Sequence, residues 1–293
     1  PVTSHDTMIA PFGLLLDVDG PIASPESRRI AVDSIVDDLL TLASAGIPIA
    51  FITGRSDAFM REQVVARLVD GGLDARSHVF GVFEKGGCWA PITADGMGAL
   101  EIDRDLAIPD PVREAVEGLA RERYADTMFV DEGKHVMISL EARTDVSPAA
   151  YQAAQARYEA EVYERLVGSG LGLRYRDHEA HDGLGRVPWR IDSTIISTDV
   201  ESVLLDKDRG ADRALDWFAA RGVTAPRWWP VGDSRSDYRM ADAVHARGIP
   251  VAHLDVRPAD GVLGKEYDVV VEGDLVHDHA GAAFLRRRVA ELP

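Results

Sequence analysis

Cysteine is almost missing from this chain: Cys88 stands alone among 293 residues. No disulfide can form within it and no cysteine-rich metal site is available, which fits a reducing, cytoplasmic setting. Long apolar runs are missing too. No stretch approaches the roughly 20 residues that a membrane-spanning helix needs, and Met8-Ile9-Ala10 is too short for the core of a signal peptide. Positive charge is scarce, with 32 lysines and arginines against 49 aspartates and glutamates and a net charge of -17. That balance argues against nucleic acid or an anionic membrane as partner. It also repels phosphorylated compounds at long range. A phosphate site in such a chain has to be made positive locally, by a metal, a basic side chain or backbone N–H groups. Low-complexity segments and long linkers are also lacking.

What is present is an ordinary globular composition, 46% hydrophobic and 28% charged, in a length that suits two domains. The organising stretch is Gly13-Leu14-Leu15-Leu16-Asp17-Val18-Asp19-Gly20. Three leucines without polar alternation predict a buried parallel strand, and the glycine lets the backbone turn sharply as it leaves the sheet. Asp17 and Asp19 then sit at a strand's carboxyl end, where ligands bind in open α/β sheets. Two acids this close repel unless a cation joins them, and a divalent metal does so. The plainer alternative is a strand ending in an acidic turn.

The pattern continues as a helix over 30–45 stopped by Gly46, a strand over 47–52, a helix over 57–69 and a short strand at 78–80. This β-α-β-α-β order predicts a doubly wound, Rossmann-like parallel sheet. The pattern then breaks. A helix over 110–124, a hairpin of 127–130 with 135–140, a helix from Ser147-Pro148 to Gly168 and strands at 171–176 and 189–196 predict a small α+β unit with an antiparallel sheet. Alternating helices and strands resume from Ala211 to Leu292. The expected organisation is an α/β core from residues 1–83 and 200–293, interrupted by an α+β insertion over 84–199.

Three further stretches share the aspartates' placement at a strand end or a helix start. Thr53 closes Phe51-Ile52-Thr53-Gly54-Arg55, where a hydroxyl and free N–H groups could cradle phosphate, or where the threonine simply caps a helix. Lys207 precedes a helix, as a phosphate-binding charge or a solvated lysine. Asp233 ends Trp228-Trp229-Pro230-Val231-Gly232, with Asp237 one helical turn on; the alternative is an N-cap with a first-turn acid.

In this order, D-x-D-G, T-G-R, K and G-D-x-x-x-D resemble the four motifs of the haloacid-dehalogenase-like (HAD) phosphohydrolase superfamily. The insertion resembles the α+β cap of its Cof-like branch, which includes sucrose-phosphate, trehalose-phosphate and mannosyl-3-phosphoglycerate phosphatases and the phosphomannomutases. The resemblance implies a doubly wound core with a cap that sets specificity, and Mg²⁺ as cofactor. It implies Asp17 as the nucleophile forming an aspartyl-phosphate and Asp19 as general acid and then base. Thr53, Gly54 and Lys207 become the phosphate binders. Asp17, the carbonyl of Asp19, Asp233 and Asp237 become the metal ligands. Arg55, Lys85 and Arg190 are the candidate substrate contacts.

The sequence departs from the family pattern at Pro21, at Ser236, and at Asp208-Arg209-Gly210, where glycine usually follows the lysine at once. Arg209 is therefore the alternative phosphate contact. Glu84-Lys85-Gly86-Gly87 stands where many relatives have an Asn-Gly turn. Asp177-His178-Glu179-Ala180-His181-Asp182 reads as a solvated loop, Trp189 and Trp217 as packing residues, Cys88 as a buried hydrophobe and Arg286-Arg287-Arg288 as a solvated helix face. The expected activity is hydrolysis of a phosphate monoester on a small metabolite, a phosphorylated sugar or sugar-acid, by a monomer or homodimer. A phosphosugar mutase is the alternative, and a receiver-type signalling or non-catalytic binding domain the reading from another class.

Overall fold

Gly13–Leu16 is buried along its whole length and lies inside a sheet. In the computed structural model, which describes residues 8–293, it pairs in parallel with Ile49–Ile52 on one side and Trp228–Gly232 on the other. Val79–Phe83 extends the first flank, and Ala252–Asp255 followed by Asp268–Val270 extends the second, all parallel. The chain builds one flank at once and returns for the other some 140 residues after leaving it. A topological switch point therefore falls between Gly13–Leu16 and Trp228–Gly232, where crevices open in such sheets.

Both faces of this sheet are covered, which is why its strands read as unbroken apolar runs. Adjacent side chains of one strand show it. Trp228 packs on Phe218 of the Lys207–Ala220 helix with ring centroids 5.5 Å apart, and Trp229 packs on Phe284 of the His277–Ala290 helix at 5.3 Å. On the first face, Leu15, Ala50, Ile52, Phe80 and Val82 close over Ala211, Ala214, Phe218 and Met240. Asp33–Ser44 forms where the spacing predicts a helix, burying Ile35, Val36, Leu39 and Leu42, and Gly46 follows it at φ 84°. The next helix starts at Asp57 with Ser56 Oγ accepting the Phe59 N–H at 3.2 Å, so Ser56 and not Thr53 is its cap. It runs to Asp70 through one widened turn at Arg61–Val65.

The boundaries of the insertion differ from expectation. The second compact unit is Ile102–Leu205, and the described residues up to Glu101 together with Asp206 to Pro293 form the first. Residues after 83 stay with the core because Cys88–Thr93 folds back antiparallel on Val79–Phe83 and adds a strand to its sheet. At the other end, Ser197–Ser202 belongs to the insertion, paired antiparallel between Trp189–Ser193 and Ile138–Ala142. The insertion's sheet runs in the order His178–Ala180, Leu173–Tyr175, Trp189–Ser193, Ser197–Ser202, Ile138–Ala142, Met128–Val130. It is antiparallel except where Leu173–Tyr175 meets Trp189–Ser193. His178–Ala180 corrects the loop expected there: it is a short polar edge strand, reached through Arg176 at φ 53°. Helices Asp110–Arg123 and Pro148–Gly168 bury Val116, Leu119, Tyr151, Tyr158 and Val162 against Ile138, Leu140, Ile191 and Val200, a core of the insertion's own.

Candidate active site

Asp17 is the first residue past the central strand, and its N–H still bonds Val231 O at 2.9 Å, so the sheet itself sets where its carboxylate stands. Asp233 holds the matching place beside it, one residue beyond Trp228–Gly232. Two glycines make this possible. Gly20 has φ 108°, and a Cβ on it would lie 2.5 Å from Asp233 Oδ2. A Cβ on Gly232 would lie 2.2 Å from Asp237 Cβ. A third, Gly210, lets the first turn of the Lys207–Ala220 helix press on the end of Ile49–Ile52, since a Cβ there would meet Ile52 Cγ2 at 2.5 Å. That approach brings Lys207 across 190 residues of chain to Asp17.

The buried Lys207 ammonium has three acceptors for its three protons: Asp17 Oδ1 at 2.7 Å, Asp237 Oδ1 at 2.8 Å and Ile52 O at 3.0 Å. Asp237 Oδ2 accepts the N–H groups of Asp233 and Ser234 and the Ser234 hydroxyl, each at 3.0 Å. Ser234 and Asp237 form a capping box there, a role for Ser234 that the S-x-x-D spacing carries and the motif reading passed over. Ser236 only touches the Ser234 hydroxyl and is exposed.

The electrostatics follow from burial and count. Burial opposes ionisation of Asp237, yet the Lys207 charge and the Ser234 donors prevail and hold its carboxyl below the usual range. Burial, reinforced by the Asp237 charge, pushes Asp17 well up against the pull of Lys207. Burial and Asp237 likewise push Asp233 up to about 6. Burial works against the Lys207 ammonium, but Asp17 and Asp237 outweigh it and its pKa is raised. One cation thus faces three carboxylates, whose oxygens lie within 4.8 Å of one another. Two raised carboxyl groups in an all-oxygen donor set fit a hard divalent ion such as Mg²⁺, which prefers such ligands.

Thr53 is buried at the end of Ile49–Ile52, its N–H on Val82 O at 3.0 Å and its hydroxyl accepting the Arg55 N–H at 3.0 Å. Arg55 reaches Asp19 instead of solvent: Nε lies 2.9 Å from Oδ2 and Nη2 3.4 Å from Oδ1, with the guanidinium stacked over Phe59 at 4.6 Å. Lys85 donates its N–H to Thr53 O at 3.1 Å and runs its side chain beside Gly54. Arg209 lies against Gly86, whose Cβ would meet its Cγ at 2.9 Å, so Lys207 and not Arg209 is the basic residue at Asp17. Arg190 is in the other unit, where Glu201 Oε2 takes its Nη2 at 2.6 Å and the carbonyls of Val203 and Leu205 accept from it as well. That unit holds a second acidic group, Asp192, Asp199 and Glu201, tied to Arg190 and to the Ser139 hydroxyl at 2.7 Å from Asp199 Oδ1.

No family model matches the sequence, and no curated protein matches it. Solved structures do. The C-terminal domain of C. albicans trehalose-6-phosphate phosphatase aligns over 96% of this chain and 93% of its own, at 13% identity and a TM-score of 0.64. A haloacid dehalogenase-like hydrolase from Bacteroides thetaiotaomicron covers 94% of this chain and 99% of its own, at 13% and 0.56. Aspergillus fumigatus trehalose-6-phosphate phosphatase covers 99% of both, at 16% and 0.52. The fold is that of the HAD-like hydrolases. At this distance the HAD-like fold fixes where a site lies, at the switch point; what the site does rests on Asp17, Asp233, Asp237 and Lys207 themselves.

Proposed function

We propose that this chain is a Mg²⁺-dependent phosphatase acting on the phosphate monoester of a small sugar or sugar-acid. The observation that carries the reading is the buried Asp17 at the switch point, bonded to Lys207 at 2.7 Å and within 4.8 Å of the Asp233 and Asp237 oxygens. The trehalose-6-phosphate phosphatase neighbours support the sugar class.

Asp17 attacks phosphorus through a carboxylate oxygen, an aspartyl-phosphate forms, and the bond from phosphorus to the leaving oxygen breaks. Asp19 gives that oxygen its proton, so the alcohol departs neutral. A water then attacks phosphorus, Asp19 takes the water's proton, and inorganic phosphate leaves with Asp17 restored. Arg55 pairs with both Asp19 oxygens, and Asp19 gives up that pair to take the proton it passes to the leaving oxygen. Lys207 fixes the Asp17 rotamer, and Thr53 with Gly54 offers polar groups to the phosphate oxygens. Asp17, Asp233 and Asp237, with the Asp19 carbonyl, would hold Mg²⁺. When bound, the ion offsets the charge of the carboxylates and phosphate and keeps Asp17 ionised.

The test is phosphate release across a panel of phosphorylated sugars and sugar-acids, with and without Mg²⁺. Release should need the ion, vanish in Asp17→Asn and nearly vanish in Asp19→Asn. Release by Asp17→Asn at the wild-type rate would remove the nucleophile from the scheme, and a need for a bisphosphate activator would make the chain a mutase.

A further inference from the structure

The turn over 232–238 carries two of the three clustered carboxylates, and both of its ends close on the end of the neighbouring strand. Gly232 is in register with Asp255, the last residue of Ala252–Asp255, and Gly232 O accepts the Val256 N–H at 2.9 Å. Tyr238, directly after Asp237, is buried and donates its hydroxyl to Asp255 Oδ2 at 2.6 Å. Asp255 is buried too, and its Oδ1 accepts the Arg257 N–H at 2.8 Å. Like Asp17 and Asp233 it stands at a strand's carboxyl end, on the third of three adjacent strands, yet its oxygens do not join theirs. The Leu263 N–H reaches the Tyr238 hydroxyl at 3.3 Å, and the ring lies tilted against His253 with centroids 4.2 Å apart. A phenylalanine would fill the same space. What the tyrosine adds is a short bond to a buried carboxylate, a costly group to bury for packing alone.

Repulsion says what that bond is for. Asp17, Asp233 and Asp237 face one ammonium, and the more they ionise the more they push the turn away from the end of Gly13–Leu16. Lys207 and Ser234 hold the Asp237 side chain. The Tyr238–Asp255 bond holds the backbone that carries it. We infer that Tyr238 and Asp255 form a clamp that positions Asp233 and Asp237 for the divalent ion, two positioning residues outside the ligand set. This rests on the metal centre of the phosphatase reading, and it is tested through the affinity for Mg²⁺, which needs no turnover.

The experiment titrates Mg²⁺ into the full chain by calorimetry at neutral pH, with ion-free melting temperatures and the Mg²⁺ dependence of phosphate release alongside. It compares wild type, Tyr238→Phe, Asp255→Ala, Asp255→Asn and the Tyr238→Phe/Asp255→Ala double variant. Tyr267→Phe is the control. It removes a buried hydroxyl that steadies the same helix through Asp242 Oδ1 at 2.6 Å and Tyr238 O at 3.3 Å, and it spares the bond to Asp255. Tyr238→Phe and Asp255→Ala should each weaken Mg²⁺ about tenfold and raise the Mg²⁺ needed for half-maximal release in proportion, with KM for the monoester within about twofold of wild type. Asp255→Asn keeps an acceptor for the hydroxyl and should lose about threefold. The double variant should bind Mg²⁺ no worse than the weaker single one, because the two residues act as a unit. Tyr267→Phe should bind as wild type does. Mg²⁺ affinity within about twofold of wild type in both Tyr238→Phe and Asp255→Ala, or a loss in Tyr267→Phe equal to theirs, would make the pair a fold contact and overturn the inference, with the phosphatase reading still standing. A wild type that binds no Mg²⁺ removes the metal centre and the clamp with it. A wild type that binds Mg²⁺ but releases phosphate from no monoester removes the phosphatase reading, and the titration still decides the clamp.

Discussion

Lys207 shows how far one side chain can organise a site. Its alkyl stem is buried, its charge is matched by Asp17 and Asp237, and its third proton closes on a strand-end carbonyl. Lys207→Met keeps the volume and removes the charge, leaving two buried carboxylates facing each other. Breaking a buried pair on one side costs about 3 kcal/mol, and denaturant midpoints without Mg²⁺ should show a loss of that order. His253 sits at the opposite extreme, fully buried with neither ring nitrogen bonded, its ring tilted against Tyr238 with centroids 4.2 Å apart. Burial drops its pKa from 6.5 to about 4. Between those values the unfolded chain binds the proton and the folded chain does not, so stability is full above the unfolded pKa and is lost as pH falls through the window. Wild type should lose about 2 kcal/mol relative to His253→Leu on going from pH 7 to pH 5, read from paired urea melts in which all other titrations cancel. Equal losses in the two proteins would mean that His253 is protonated in the fold.

Elements were legible in the sequence where burial is two-sided. Gly13–Leu16, Ile49–Ile52 and Trp228–Gly232 announce themselves because helices cover both faces and no polar residue is admitted. The chain after 83 reads as the insertion because Glu84-Lys85-Gly86-Gly87 stands where many relatives have an Asn-Gly turn, yet Cys88–Thr93 pairs with the core. His178–Ala180 went unseen because a solvated edge strand carries no apolar alternation. The candidate site divides in the same way. Asp17, Thr53, Lys207 and Asp233 could be found because strand ends are visible in sequence. That Arg55 would close on Asp19 could not, since side-chain pairing across 36 residues leaves no local signal. The turn between Trp228–Gly232 and the Tyr238–Ala246 helix gives a test of the part that was missed. Ser234→Ala removes a donor to Asp237 Oδ2 while sparing both backbone donors. It should cost about 1 kcal/mol, a drop in melting temperature of about 2–4 °C, and lower kcat more than KM because Asp237 loses its fixed rotamer. A variant that loses stability with unchanged kcat would show that the box serves the helix alone.

For the molecule as a whole, the consequence of two units with separate cores is that an ion held by one should leave the other untouched. Asp17, Asp233 and Asp237 all belong to the unit ending at Glu101 and resuming at Asp206, while the core around Tyr151 and Tyr158 belongs to Ile102–Leu205. Asp17 and Asp233, both raised by burial, set the pH range, and the Asp233 titration is the one that falls near 6. Burial and Asp237 hold its carboxyl at about 6 against an ordinary 3.8, so the ion-free fold keeps a proton that the unfolded chain gives up. That contribution is present below the unfolded value and is lost as pH rises through about 6. Mg²⁺ competes with the same proton, so its stabilisation should be small at pH 5 and grow through pH 6 to 7. Hydrogen exchange at pH 7 checks both statements at once. Mg²⁺ should slow exchange in the strands Gly13–Leu16 and Trp228–Gly232 and in the Lys207–Ala220 helix. Exchange in the Pro148–Gly168 helix should not change. Protection spread evenly over both units, or a melting shift at pH 5 equal to that at pH 7, would place the ion somewhere other than among these three carboxylates.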